Sequence, residues 1–306
     1  MLLTAYHQPV LLAECLEAMN LRPDGTYVDV TFGGGGHSRA ILDRLGPTGR
    51  LLAFDQDADA KANAKAFTDS RFTFIEANFR HLKKYLRLYS IKQVDGILAD
   101  LGVSSHQLDE GARGFSTRFD GELDMRMNQD APFSAKNVVN DYDEAKLHRI
   151  FGLYGEVKNA RTLAAAVVQA RANAPIDTAA QLKAIAWKLA PRGKEFKYLA
   201  QVFQAIRIEV NDELKALEEF LQQVPEVLAS GGRLVVLSYH SLEDRLVKNF
   251  INKGKFEGEV QKDLYGNDLK PLRPATRGQP LEASEAEVAQ NNRARSAKLR
   301  IAEPNL

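Results

Sequence analysis

Apolar, β-branched runs alternate with amphipathic stretches along the first hundred residues. Residues 27–31, 50–55, 71–77 and 94–101 have strand character, and 37–45, 58–67 and 79–89 carry helical spacing. Gly46 suits the end of the first helix, and Asp57 the N-cap of the second. Short strands separated by helices of about ten residues predict βαβ units and a parallel sheet.

The rhythm stops after residue 101. Residues 102–135 are glycine-rich and irregular, and helical patterns follow at 143–151, 157–172 and 178–189, the last with Thr178 as its N-cap. Leu199, Phe203, Ile206, Val210, Leu214, Leu217 and Leu221 recur at spacings of three and four, which predicts one long helix. That helix can cross over to a fifth parallel strand at 231–238. A short alternating run at 297–302 is placed to close the sheet edge. The expected organisation is a sheet domain of residues 1–104 and 201–306, with a helical domain of residues 105–200 inserted after the fourth strand. In open α/β sheets that point borders the ligand crevice, so the insert is expected to recognise substrate.

With 44% hydrophobic and 26% charged residues, the chain of 306 residues has the composition of a soluble globular protein. No apolar run approaches the ~18 residues of a membrane span. The start lacks a basic, signal-like region, so a cytoplasmic protein is expected. Cys15, the single cysteine, excludes an intrachain disulfide and a cysteine-cluster metal site. The histidines show no ligand spacing, so no metal ligand is assigned and a metal requirement stays open. A net charge of +1 gives no global nucleic-acid signal. Locally, Arg293, Arg295, Lys298 and Arg300 fall within ten residues that hold no acid, and Lys270, Arg273 and Arg277 precede them in an irregular stretch. Phosphate binding needs only such a patch.

The chemistry concentrates at strand ends. Residues 27–31 run into Gly33, Gly34, Gly35 and Gly36, where main-chain N–H groups can approach a ligand closely. The second apolar run ends at Asp55, a carboxylate placed to accept hydrogen bonds from a ribose diol. A nucleoside cofactor is implied, either a nicotinamide dinucleotide or S-adenosylmethionine. Ser38 stands where the dinucleotide fingerprint wants its third glycine, and Asp29 would repel a pyrophosphate. Asp29 suits the cationic sulfonium and ammonium groups of S-adenosylmethionine, or else bonds loop backbone. Residues 113–116 and 123–127 are too glycine-rich and charged for core elements and read as functional loops.

Several segments together resemble one family. His7-Gln8-Pro9-Val10-Leu11-Leu12, residues 29–38, DLGVSSHQLD at 100–109, RGFS at 113–116, LDMRM at 123–127, FQAIRIEVN at 203–211, YHSLEDR at 239–245 and RSAKLR at 295–300 are similar, in order, to the MraW-type 16S rRNA cytosine-N4 methyltransferases. The resemblance runs from residue 7 to about 302. It departs at His106, Thr117, Asn128 and Tyr239, where the family commonly has Pro, Phe, Asp and Phe, and in residues 194–202, which replace an HPATR-like form.

The resemblance implies a Rossmann-like class I S-adenosylmethionine-dependent methyltransferase of α/β class. Its target would be a cytosine in the decoding region of 16S rRNA within the small ribosomal subunit. By the same resemblance Gly35, Gly36 and His37 contact the methionyl part of the cofactor, and Asp55 holds the ribose. Phe79 packs on the adenine, while Asp100 and Gln107 complete the pocket. Methylation of cytosine C5 generally needs a thiolate nucleophile, and Cys15 lies in an apolar helix-like segment remote from these motifs. Asp100 is the expected acceptor for the amine, assisted by Ser104 or His240; a role in cofactor binding alone stays open for it. Arg113, Arg118, Arg126, Arg207, Arg245, Arg293 and Arg295 are candidates for RNA contacts, although Arg207 and Arg245 have acids beside them and could pair internally.

Overall fold

The computed structural model describes residues 9–109, 111–276 and 278–305. His7, Gln8 and Arg277 lie outside them. Two units emerge: one holds the chain up to Gly102 and from Leu214 onward, the other runs from Val103 to Glu213. Residues 103, 104 and 201–213, expected to belong with the sheet, therefore fall in the helical unit.

The first unit is built on a sheet whose strands are β1 Thr26–Asp29, β2 Arg50–Asp55, β3 Phe72–Glu76, β4 Val94–Asp100, β5 Leu228–Ser238, β6 Leu272–Pro274, β7 Leu281–Glu282 and β8 Lys298–Pro304. Their order is β3-β2-β1-β4-β5-β8-β6, with β7 also paired to β8. The first five are parallel, and β8 is antiparallel to β5. Val28 lies opposite Leu52 on one side and Ile97 on the other. Alternation of side chains across the sheet makes two cores. Val28, Leu52, Phe54, Ile97 and Ala99 pack with Leu217, Phe220, Leu221 and Val224 on one face. Tyr27, Leu51, Leu98, Val235 and Leu237 pack with Leu11, Cys15, Ile41 and Leu42 on the other. Gly96 is required by this packing, since a Cβ there would stand 2.8 Å from the ring of Tyr27. The order reverses between β1 and β4, so the ends of these strands, Asp29 and Asp100, flank the switch point where ligands of such sheets bind.

Three expectations for this unit need correction. The helix expected at 37–45 is Gly36–Leu42, capped at Asp43, and Gly46 lies beyond it, donating its N–H to the carbonyl of Pro23. Residues 79–89 divide into a 3₁₀ turn, Phe79–His81, and a helix, Leu82–Leu88, because the Asn78 side chain caps the turn at Arg80 N. The final strand does not close the sheet: β6 pairs beyond it, in a stretch read as irregular. Three residues ending in proline leave no alternation to read, and an edge position tolerates the missing N–H.

The long periodic segment is two helices, Glu195–Asn211 and Glu213–Val227, broken where Asp212 takes φ 51°. Apolar spacing continues across the break, so periodicity alone does not register it.

Helices Ser105–Asp109, Ala135–Asp141, Glu144–Leu153, Ala160–Arg171, Ala179–Trp187 and Glu195–Asn211 form the second unit. Thr178 and Gln181 cap the fifth of these reciprocally: Gln181 N donates to Thr178 Oγ1, and Thr178 N to Gln181 Oε1. Phe151, Leu163, Val167, Leu182, Phe203 and Ile206 build its core. Phe115, Leu123 and Met125 join that core, although their loops read as too glycine-rich and charged for core elements. Asn211 explains how an irregular, charged loop is held there. Its Oδ1 accepts from Met127 N at 2.7 Å and its Nδ2 donates to the carbonyl of Met125 at 2.7 Å. No helix among the described residues is long and apolar enough to cross a membrane.

Asn211→Ala leaves both backbone groups without these partners, so unfolding in urea should show a loss of about 1–3 kcal/mol. A loss below about 0.5 kcal/mol, within the range of ordinary surface substitutions, would remove the pinning role.

Candidate active site at the ends of the parallel strands

The chain leaves β1 through Asp29, which is 1% exposed. Its Oδ1 accepts from Thr31 N at 3.1 Å, and its Oδ2 from Ser38 Oγ at 2.7 Å. Burial pushes this carboxyl up, while the His37 charge and the Ser38 and Thr31 hydrogen bonds pull it down. Of the two roles open to Asp29, the structure shows the bracing of the loop. Thr31 carries the brace across to β4, for Asp100 N donates to Thr31 Oγ1 at 2.6 Å.

The four-glycine loop then crosses the end of β2. Gly33, with φ 51°, donates its N–H to Asp55 Oδ2 at 2.8 Å, and Asp57 N donates to Oδ1 at 2.9 Å. Asn63 Nδ2 reaches the Gly33 carbonyl at 3.1 Å from the following helix. Gly35 and Gly36 are constrained mostly by the protein itself. A Cβ on Gly35 would stand 2.7 Å from the Phe67 ring, and one on Gly36 would stand 2.4 Å from Pro9 Cγ.

Asp55 uses one lone pair of each oxygen on the backbone, which leaves acceptor capacity for two hydroxyl donors. That acceptor set fits a ribose diol. Burial raises its pKa to about 6, against the opposing N–H donors of Asp57 and Gly33. Phe79, on the turn after β3, is half-buried and meets Phe220 edge to face at 5.4 Å.

Asp100, at the end of β4, accepts from the Tyr239 hydroxyl at 2.6 Å on Oδ1, and its Oδ2 lies 3.7 Å from His37 Nδ1. Burial raises this carboxyl, and the His37 charge and the Tyr239 hydrogen bond oppose the rise. Burial together with the neighbouring carboxylate pushes the Tyr239 phenol far up, which keeps it a hydrogen-bond donor. In the sequence Tyr239 stands out only as a departure from the family pattern; its place beside His240 at the end of β5 is the available signal.

His240 is the N-cap of helix Ser241–Lys253. Its Nδ1 accepts from Glu243 N at 3.4 Å, and its Nε2 stands 3.1 Å from Glu243 Oε1. Glu243 Oε2 in turn accepts from Tyr239 N at 2.9 Å. A helix-capping role for His240 is therefore shown. Ser104 and Gln107 belong to the helical unit and bond each other: Ser104 N donates to Gln107 Oε1 at 2.9 Å, and Gln107 N to Ser104 Oγ at 3.2 Å. Cys15 is buried, and its thiol is pushed far up by that burial, which agrees with a packing role.

Several arginines are committed internally. Arg126 pairs with Asp124 at 2.7 Å and donates to the carbonyls of Gln129 and Ala131. Arg113 donates to the carbonyls of Arg126 and Met127. Arg207 makes a bidentate pair with Glu213. Arg300 and Lys298 both face Asp244, at 2.6 and 3.8 Å. Arg245 and Arg295 are exposed, as is Arg118, which lies 3.6 Å from Asp109; Arg293 is partly buried.

Similarity to known proteins extends over the whole chain. The MraW methylase family matches residues 4–305. A protein of Cytophaga hutchinsonii named ribosomal RNA small subunit methyltransferase H is 57% identical over 298 residues, or 97% of this chain and 99% of that one. Proteins of the same name from Christiangramia forsetii and Bacteroides fragilis are 56% and 55% identical, covering 99% and 98% of this chain and the same shares of their own.

Tyr239→Phe removes the hydroxyl that favours the ionised form of Asp100. The expected loss of stability is about 1–3 kcal/mol at pH 8 and smaller at pH 5, where more of the carboxyl is protonated. Urea unfolding at the two pH values measures it, and equal losses at both would show that the hydroxyl does not serve the carboxylate.

Proposed function

The chain belongs to the MraW methylase family, and from that membership we propose that it methylates the exocyclic N4 of a cytosine in the decoding region of 16S rRNA, within the small ribosomal subunit. It is an S-adenosylmethionine-dependent methyltransferase. The observation that carries the N4 reading is Asp100: a carboxylate at the switch point, held by Tyr239 and facing His37, in a chain whose single thiol is buried in a core.

Gly35, Gly36, His37, Asp55 and Phe79 hold the cofactor, and Gln107 is assigned to the same site by motif. When bound, the cofactor supplies an electrophilic methyl group on a positively charged sulfur. The target cytosine leaves its stack, as any base modified inside a structured RNA must. Asp100 then accepts a hydrogen bond from the N4 amine. This turns the nitrogen lone pair toward the methyl group, a gain of positioning rather than of strong base catalysis. Loss of an N4 proton follows methyl transfer, with the Asp100 carboxylate as the first acceptor. Tyr239 acts through Asp100 by fixing one oxygen, and Ser104 and His240 are assisting candidates. The helical unit is assigned to RNA recognition. Arg118, Arg245, Arg293 and Arg295 remain phosphate contacts in this reading, while Arg113 and Arg126 shape the loop that carries Arg118.

Unmodified small subunits incubated with labelled S-adenosylmethionine should yield N4-methylcytidine after digestion. Label in protein, or in another nucleoside, would reject the proposed target. Asp100→Ala should lower kcat by two orders of magnitude or more at unchanged cofactor affinity, in the range of a lost preorganised hydrogen-bonding group; full activity would leave Asp100 a cofactor residue only.

Asp55 accepts ribose hydroxyls best when ionised. Cofactor affinity should therefore fall as the pH drops through about 6. Calorimetry with S-adenosylhomocysteine between pH 5 and 8 tests this. Asp55→Asn should bind weakly with a flat profile, and a wild-type profile that is already flat counts against the role.

A further inference from the structure

Trp187, the only tryptophan of the chain, is 45% exposed at the end of its helix. It meets Phe196, 77% exposed, edge to face at 5.6 Å. Two large aromatic side chains standing together in solvent are unusual for a stable surface, and here they are interleaved with cations. Lys188, Arg192, Lys194 and Lys197 are all exposed. Among the described residues none of the four has an acidic partner within salt-bridge distance, in contrast to Arg126, Arg207 and Arg300. The only acid between Trp187 and Lys197 is Glu195, whose Oε1 accepts from Gly193 N at 3.0 Å.

The segment joining the two aromatic residues is ordered by specific bonds. Lys194 N donates to the Pro191 carbonyl at 3.0 Å, closing a turn in which Gly193 takes φ 75°. Asn159 Nδ2 holds the Leu189 carbonyl at 3.1 Å, and Asn159 Oδ1 accepts from the buried Tyr198 hydroxyl at 2.9 Å. Lys194 occupies the N-cap of the longest helix of the unit without a side-chain cap bond, where an acceptor would be more stabilising. This is also the stretch in which the chain departs from the HPATR-like form.

We infer that Trp187 and Phe196, with Lys188, Arg192, Lys194 and Lys197, form a platform for an unpaired RNA segment. A base stacks on the aromatic pair while the cations meet the flanking phosphates. Every base has a π-face and every nucleotide a phosphate, so this combination suits single-stranded RNA. Preordering of the turn lowers the entropy lost on binding. The inference rests on the RNA-substrate reading and adds a surface that none of its motifs includes.

The single tryptophan gives a readout independent of catalysis. Full-length protein with S-adenosylhomocysteine is titrated with an unstructured pyrimidine-rich oligoribonucleotide, and Trp187 emission is followed. Quenching is expected. Phe196→Ala should weaken binding by roughly five- to a hundredfold, the range for one stacked base. Lys194→Gln and Lys197→Gln should each reduce the slope of log affinity against log salt by about 0.7. All three side chains are on the surface, so thermal unfolding and S-adenosylhomocysteine affinity should not change.

RNA binding with unaltered emission, or with unchanged affinity in Phe196→Ala, overturns the platform. Quenching by intact small subunits but not by free RNA assigns the patch to a protein partner and likewise overturns it. Methyl transfer assayed in parallel separates this inference from the function. Equal rRNA methylation by wild type and Phe196→Ala rejects the platform alone. Quenching and weakened Phe196→Ala binding without rRNA methylation retain the platform and reject the proposed target.

Discussion

Asp29 puts a carboxylate where almost no water reaches it, at the point where β1 becomes the glycine loop. A buried charge is costly unless its oxygens are satisfied. Here Thr31 N and Ser38 Oγ satisfy them, so the loop and the start of helix Gly36–Leu42 are fixed by the need to compensate that charge. Thr31 then receives Asp100 N, and Gly33 N reaches Asp55. The ends of β1, β2 and β4 are thus tied through one chain of short hydrogen bonds. Phe79 and Tyr239 gain their positions from the same sheet.

The acids at these strand ends divide the work by environment. Asp29 is enclosed and structural. Asp55 keeps lone pairs available after bonding backbone, and burial leaves it close to a protonation change near neutral pH. Asp100 is held by a phenol and faces an imidazole, which keeps a carboxylate usable despite its burial. Three aspartates with one side-chain chemistry serve as brace, proposed hydroxyl acceptor and proposed amine acceptor.

Positive charge is divided in a similar way. Arg126, Arg113 and Arg207 shape the loops and helix ends that carry the family's motifs, and Arg300 anchors β8 to Asp244. A guanidinium with several carbonyl and carboxylate partners is a structural group, whatever its motif suggests. Cations without such partners cluster at residues 188–197, a stretch that runs into the departure from the HPATR-like form.

Sequence alone determined the parallel sheet, the caps at Asp57 and Thr178, and the placing of Asp55 and Asp100 at strand ends, because alternation, turn chemistry and capping are local properties written in consecutive residues. It also determined the family, through long motifs in fixed order. The tertiary structure decided what those residues touch. Periodicity continued across Asp212, so only the backbone revealed the break. Nothing near Asn211 in the chain announces that it holds Met125 and Met127, more than eighty residues away. Asp29 had two chemically reasonable roles until Thr31 and Ser38 were seen to take its oxygens, and Arg126 looked like a ligand-binding cation until Asp124 was seen against it. Partners in space decide whether a charge is buried, paired or presented, and a linear sequence does not contain those distances.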